Sequence, residues 1–155
     1  MAPVRFIAKH LSPLLNSRYR SKQSSGEKRS SSSVGLLGER IAARWLFCEG
    51  WRILRKNYRA KGGGEVDIAC RDHDTLVFVE VKTRTSREHG RPLDAVNTEK
   101  EQLIIRGAMS WLTLLDNQEV PYRFDVIEVL LIEGEKPFVN LVQSAFQMPE
   151  QYRFN

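Results

Sequence analysis

The spacing of apolar residues changes along this chain from helical to alternating and back, and each change predicts an element. Over residues 36–49 the apolar positions Leu37, Ile41, Ala42, Trp45 and Leu46 recur at helical spacing, and Gly50 supplies a stop. Residues 51–58 read as a first strand, followed by the turn-prone run Lys61, Gly62, Gly63, Gly64. Residues 65–70 predict a second strand, 71–74 a polar turn, and the valine-rich stretch 76–83 a third strand. A longer helix is predicted from Pro92 or Leu93 to Leu115, with Ile104, Ala108 and Trp111 on one side and Pro92 suited to its first turn. Residues 124–132 form a fourth predicted strand and 138–142 a short fifth at a sheet edge, with Gly134 in the turn between them. The order α-β-β-β-α-β-β, without internal repeat, predicts an α/β fold: a mixed β-sheet flanked by helices, the second helix crossing between strands three and four.

Strand parity then brings charged residues together. In the third strand Val77, Val79 and Val81 share one face, and Leu76, Phe78, Glu80 and Lys82 the other. In the second, Val66 and Ile68 oppose Glu65, Asp67 and Ala69. A tight hairpin with an even number of loop residues near His73 sets Asp67 beside Phe78 or Glu80, and Glu65 beside Glu80 or Lys82; an odd loop or a bulge would break that alignment. Two neighbouring carboxylates repel unless a cation sits between them. Mg²⁺ (or Mn²⁺) fits, because it takes oxygen ligands and often uses only one or two carboxylates besides water and phosphate. Asp67, Glu80 and the backbone carbonyl of Val81 are the candidate ligands, and Lys82 is placed to hold an attacking water and offset phosphate charge. The plainer alternative is an ion pair on a half-exposed sheet face. Against it, charges that end a strand apolar on both faces cost desolvation.

Composition refines this picture. At 155 residues, with 41% hydrophobic and 28% charged residues, one globular domain with a real core is expected. Cys48 and Cys70 lack metal-site spacing and read as buried free thiols. No apolar run reaches the ~20 residues of a membrane helix, so no membrane association and a cytoplasmic location are expected. The net charge of +5 is misleading as a sign of nucleic-acid binding. Residues 1–34 hold seven basic groups against one acid, whereas the remaining 121 hold 17 basic and 18 acidic groups. Residues 1–34 thus form a basic, Ser-rich extension, expected to be disordered. It has the composition of either an organelle transit peptide or a flexible phosphate-binding arm, and a plain extension is favoured. An endonuclease-like domain is expected over 35–145, with a tail over 146–155.

Several motifs carry a resemblance. Gly38-Glu39 with Ala42, Ala43, Trp45 and Leu46, then Gly50-Trp51, Ile53-Leu54 and Asn57-Tyr58-Arg59 come first. Gly64-Glu65-Val66-Asp67-Ile68, Val77 through Arg84, and later Lys100 follow in order. Over about residues 35–132 this resembles the YraN family of uncharacterised bacterial proteins, assigned to the restriction-endonuclease-like superfamily and similar in fold to archaeal Holliday junction resolvases. The resemblance implies that Asp67, Glu80 and Lys82 hold the superfamily's Asp…Glu-x-Lys positions, with Glu39 an additional metal or water ligand. Arg59, Lys61, Arg84, Arg87, Arg91 and Lys100 are candidate phosphate contacts, with Gly62 to Gly64 permitting close backbone approach. Glu65 reads as a neighbour that tunes the site, and His10, His73 and His89 as loop residues. The leading expectation is a metal-dependent endonuclease acting on DNA, on branched or damaged forms, with a homodimer required for symmetric junction cleavage. The alternatives are a catalytically inactive nucleic-acid-binding module and a small interaction protein.

Overall fold

Three strands joined by tight turns make one half of a five-stranded sheet: β1 (Arg52–Arg59), β2 (Glu65–Asp72) and β3 (Thr75–Arg84). β4 (Tyr122–Leu130) runs parallel to β3, and β5 (Phe138–Phe146) antiparallel to β4, so the strand order is β1-β2-β3-β4-β5. This computed structural model describes residues 12–88, 96–116 and 119–152. Its described helices are α1 (Pro13–Asn16), α2 (Ser31–Cys48) and α3 (Thr98–Thr113), with a closing 3₁₀ turn at Glu150–Tyr152. α3 is the crossover that a parallel β3–β4 pair requires. The fold is therefore the expected mixed α/β arrangement.

β3 lies at the centre of the sheet, and its two faces feed two cores. Val77, Val79 and Val81 pack with Ile41 and Leu46 of α2 and with Ile127 and Val129 of β4. Leu76 and Phe78 pack with Ile104 and Ala108 of α3 and with Phe124. A strand buried on both sides is apolar throughout, which is why residues 76–79 show no alternation.

Element ends follow local hydrogen bonding more than apolar spacing. α2 starts earlier than its apolar pattern because the Ser30 side chain accepts the Ser33 N–H and caps it. α3 starts later than expected: Asn97 is its cap, accepting from the Lys100 N–H, and Val96 is not helical. The expected start at 92–93 lies outside the described residues. β5 occupies an edge as expected but continues to Phe146. A register shift is accommodated at Ser144 (φ 49°), whose N–H donates to Asp125, and pairing resumes at Phe124↔Phe146.

Residues 12–34 differ from the disordered extension that their composition suggests. Tyr19 is buried, its N–H donates to the Glu135 carbonyl, and its own carbonyl accepts from Gly134 N–H. Leu14, Leu15 and Tyr19 add to the core beneath α2, and Lys22 bridges Lys28 in a small antiparallel turn. Three apolar anchors among many serines suffice to pin the segment, and an average over composition hides them. At the other end, Phe146 stacks on Phe124 and Met148 is buried, so the expected tail begins as part of the core. Cys48 and Cys70 are buried free thiols as expected, and burial pushes the Cys70 thiol up to about 12. Among the described residues no helix is long and apolar enough to cross a membrane.

Two glycine contacts draw the helices onto the sheet where the charged residues gather. A Cβ on Gly38 of α2 would lie 1.8 Å from Thr83 Oγ1 of β3. A Cβ on Gly64 would lie 2.1 Å from the Gly107 backbone nitrogen of α3. Turning the Thr83 side chain would still leave its Cβ 2.8 Å from the added atom, and the α3 backbone cannot move aside either. Gly64→Ala is therefore expected to cost about 2–3 kcal/mol, seen as a lower urea midpoint with unchanged slope.

Candidate metal and phosphate site

The β2–β3 ladder stops at Ile68↔Val79, and the candidate site begins there. The two-residue turn at His73 (φ 53°) and Asp74 fixes an even loop, as parity required. Beyond Ile68 the strands separate, and Asp67 Oδ2 accepts the Val81 N–H at 2.8 Å in place of a backbone carbonyl. β2 also rotates at this point: Ile68 packs in the core beneath α2, but Val66 packs against α3. The expectation that Val66 and Ile68 share a face is thus corrected. An alternating pattern holds only while the ladder does, and here a side chain has replaced the ladder.

This separation lets groups from both faces of the sheet meet. Glu80 is 2% exposed, with Oε1 3.1 Å from Lys82 Nζ and Oε2 3.6 Å from Lys100 Nζ. Lys100 comes from α3 and holds Glu65 Oε1 at 2.5 Å. From the opposite face, α2 supplies Glu39, whose carboxylate feels the charges of Asp67, Lys100 and Glu65. Glu39 Oε2 and Glu80 Oε2 are both buried without a hydrogen-bond partner.

Electrostatics follow from this crowding. Burial, then the Asp67 charge, pushes the Glu80 carboxyl up to about 8 despite its two lysines. Burial and Asp67 likewise raise Glu39, while a hydrogen bond from Asn57 opposes the rise. Glu65 is held low, chiefly by its hydrogen bond from Lys100. Burial disfavours the Lys100 charge, but the contact with Glu65 and the nearby Glu80 and Asp67 carboxylates outweigh it, so its pKa rises.

These values imply a stability cost. A carboxyl at about 8 in the folded chain, against an ordinary 4.5 when unfolded, binds more protons folded than unfolded between those limits. Its contribution to stability is present below the lower value and is lost as pH rises to the upper one. In EDTA, the thermal midpoint is expected to fall from pH 5 to pH 8. Glu80→Gln should remove much of that slope and stand on the order of 5 °C higher at pH 8. Parallel slopes in the two proteins would contradict this.

Several expected contacts occupy the margins. Arg59 pairs across from Glu65 at the end of β1, and Lys61 is exposed in the turn that follows. Arg84 Nε is 3.8 Å from Glu128 and buried without a hydrogen-bond partner. Arg87 pairs with Glu135, and His73 sits in its turn against Asp72. Arg91, His89 and His10 lie outside the described residues. Sequence reasoning missed Asn57, which lies across from Asp67 in the β1–β2 register and adopts φ 52°. Its side chain lies near enough to Glu39 to favour the charged carboxylate. Asparagine within an otherwise regular strand was the available signal, because it tolerates the left-handed region.

A divalent ion suits this donor set. Among the described residues, no three His, Cys, Asp or Glu side chains stand together as a ready-made cage. A magnesium site does not require one, since water and substrate phosphate complete it. The positive indication is a buried carboxylate oxygen without a hydrogen bond on each of Glu39 and Glu80, the second facing Lys100 only at 3.6 Å.

The comparisons concern the same core. The sequence model described as "Uncharacterised protein family UPF0102" matches residues 38–129. A UPF0102 protein from Trichlorobacter lovleyi is 44% identical over 117 residues, covering 75% of this chain and 91% of that protein. Another from Geobacter sulfurreducens is 41% identical over 115 residues, covering 74% and 89%. One from Symbiobacterium thermophilum is 40% identical over 116 residues, covering 75% and 98%. This chain belongs to UPF0102, an uncharacterised protein family.

Proposed function

We propose that the chain is a divalent-metal-dependent endonuclease that hydrolyses phosphodiester bonds in DNA. The observation that carries this reading is the meeting of Asp67 and the buried Glu80 beside the Lys82 ammonium where β2 and β3 part, with the Glu39 carboxylate of α2 near enough to feel the Asp67 charge. The resemblance of Asp67, Glu80 and Lys82 to the Asp…Glu-x-Lys pattern of restriction-endonuclease-like proteins supports it. Asp67, Glu80, the Val81 carbonyl and Glu39 would hold Mg²⁺ or Mn²⁺. When bound, such an ion supplies Lewis acidity toward a phosphoryl oxygen and a more acidic water.

The chain's own groups account for the rest. Asp67, fixed by the Val81 N–H, keeps one oxygen free of that bond for a ligand. Lys82, 28% exposed, holds its ammonium against Glu80, and the residue also lines the groove beyond, so a water or a phosphate oxygen brought to Glu80 would meet that ammonium. As water attacks phosphorus, one P–O ester bond breaks, the water's proton leaves to a nearby base and the departing alkoxide is protonated. Lys82 offsets the negative charge that builds on the phosphoryl oxygens.

One observation favours a different reading, a catalytically inactive binding module. Lys82 and Lys100 already neutralise part of the acidic cluster without any metal. Labelled linear, nicked and four-way-junction DNA, incubated with Mg²⁺ or Mn²⁺ and with EDTA, separates the two. The proposal expects metal-dependent cutting of at least one form. Intact DNA throughout, with either metal, would leave the binding module.

A further inference from the structure

We infer that residues 12–34, which lie before the part matched by the family, build a basic track that guides a nucleic-acid strand to Lys82. The inference rests on the proposed nuclease reading for what happens at the end of the track, but not for binding to it. Two grooves of about 590 and 690 Å³ share Tyr19, Arg29 and Leu131 as a common wall. The larger runs past Lys28 and Arg29 to Val81, Lys82 and Thr83 of the catalytic strand. The smaller continues between the segment and α2, past Arg18, Arg40 and Arg44.

The charge along this path is available to a ligand. Arg18 Nη1 donates to the Gly134 carbonyl at 2.8 Å, and Arg29 Nε to the Arg20 carbonyl at 3.0 Å. Arg44 Nε donates to the Ser12 hydroxyl at 3.3 Å and lies over the Phe47 ring. These partners are neutral, so they fix the guanidinium groups without cancelling their charge. Among the described residues, no carboxylate lies within ion-pair distance of Arg18, Lys28, Arg29, Arg40 or Arg44; Arg20, paired with Glu133, is the exception on this wall. Cations without a carboxylate partner, three of them fixed by neutral groups, lead past a single groove-lining acid, Glu133, to a lysine suited to a phosphoryl group, and so match a repeating phosphodiester backbone. The segment's excess of basic residues, separated from the neutral remainder of the chain, acquires a location by the same argument.

The test is binding of a fluorescent duplex and a single-stranded oligonucleotide by the full chain, in EDTA, across a range of salt. Lys28→Glu with Arg40→Glu reverses two exposed groups, one in each groove. Arg52→Glu with Arg71→Glu applies the same charge change to two exposed groups at the far end of the sheet. The track predicts at least a tenfold loss of affinity at about 0.1 M salt for the first pair. Its log–log salt slope should fall by about 2, close to one unit for each lost phosphate contact. Equal loss from both pairs would overturn the track. So would wild-type binding to anionic lipid vesicles without binding to either oligonucleotide. Because no cutting is required, loss of the nuclease reading leaves this result interpretable, and loss of the track leaves cleavage to be judged separately.

Discussion

Asp67→Ala is expected to lose both divalent-ion affinity and cutting, whereas Lys82→Ala should lose cutting and keep the ion. The difference follows from position. Asp67 bridges the separated strands by accepting the Val81 N–H, so its removal would delete a proposed ligand and leave that donor unpaired. Lys82 touches Glu80 only through a partly exposed ion pair, so removing it leaves the carboxylates in place. A group that supplies proton transfer or charge stabilisation typically contributes 10²–10⁴ in rate, and a loss of roughly 10³-fold is expected for Lys82→Ala. The check is single-turnover cleavage together with ion titration of both variants. Loss of ion binding in Lys82→Ala, or normal cutting in Asp67→Ala, would contradict the assigned roles.

The largest expected loss of stability lies at the other end of the sheet. Asp125 is fully buried, and both its oxygens accept from Arg123 Nε, at 3.0 and 3.1 Å. It also accepts the Ser144 N–H that closes the β5 bulge. Arg123 reaches on to Asp72 and lies over the Trp51 ring, so the Arg123–Asp125 pair ties β4 to β5 and to the end of β2. Asp125→Ala leaves an uncompensated guanidinium nitrogen and an unpaired amide, with an expected cost of about 3–5 kcal/mol. In a chain of this size that corresponds to a thermal midpoint lower by on the order of 10 °C. Asp125→Asn should recover part of the loss, since its side-chain oxygen still accepts. A variant within about 0.5 kcal/mol of wild type would show the network to be incidental.

How much of this was legible in the sequence depends on what each signal can report. The valine face of β3, the register of the β2–β3 turn and the placement of Glu80 and Lys82 follow from period-two parity, which holds wherever the ladder is intact. The rotation of β2 at Asp67 did not follow, because a side chain replaces a backbone bond there and leaves no trace in the apolar pattern. Glu39 beside Arg40 looks like an ordinary solvated pair until Gly38 draws α2 against Thr83 and turns the carboxylate inward. Asp125, between Phe124 and Val126, gave no indication of its side: Arg123, two residues before it, shares its face whichever way that face points, and the Ser144 N–H it accepts is distant in sequence. The ordered segment before α2 was masked by its serines. In each case the missing information is a contact between elements, which local spacing does not carry.

The account turns on an ion held where β2 and β3 part, and its most direct test is Mn²⁺ binding to the purified chain, followed by calorimetry and by electron paramagnetic resonance. The predicted result is saturable uptake at one site by wild type, lost in Asp67→Ala and in Glu80→Gln, and competed by Mg²⁺. No uptake by wild type, or uptake unchanged in both variants, would contradict it.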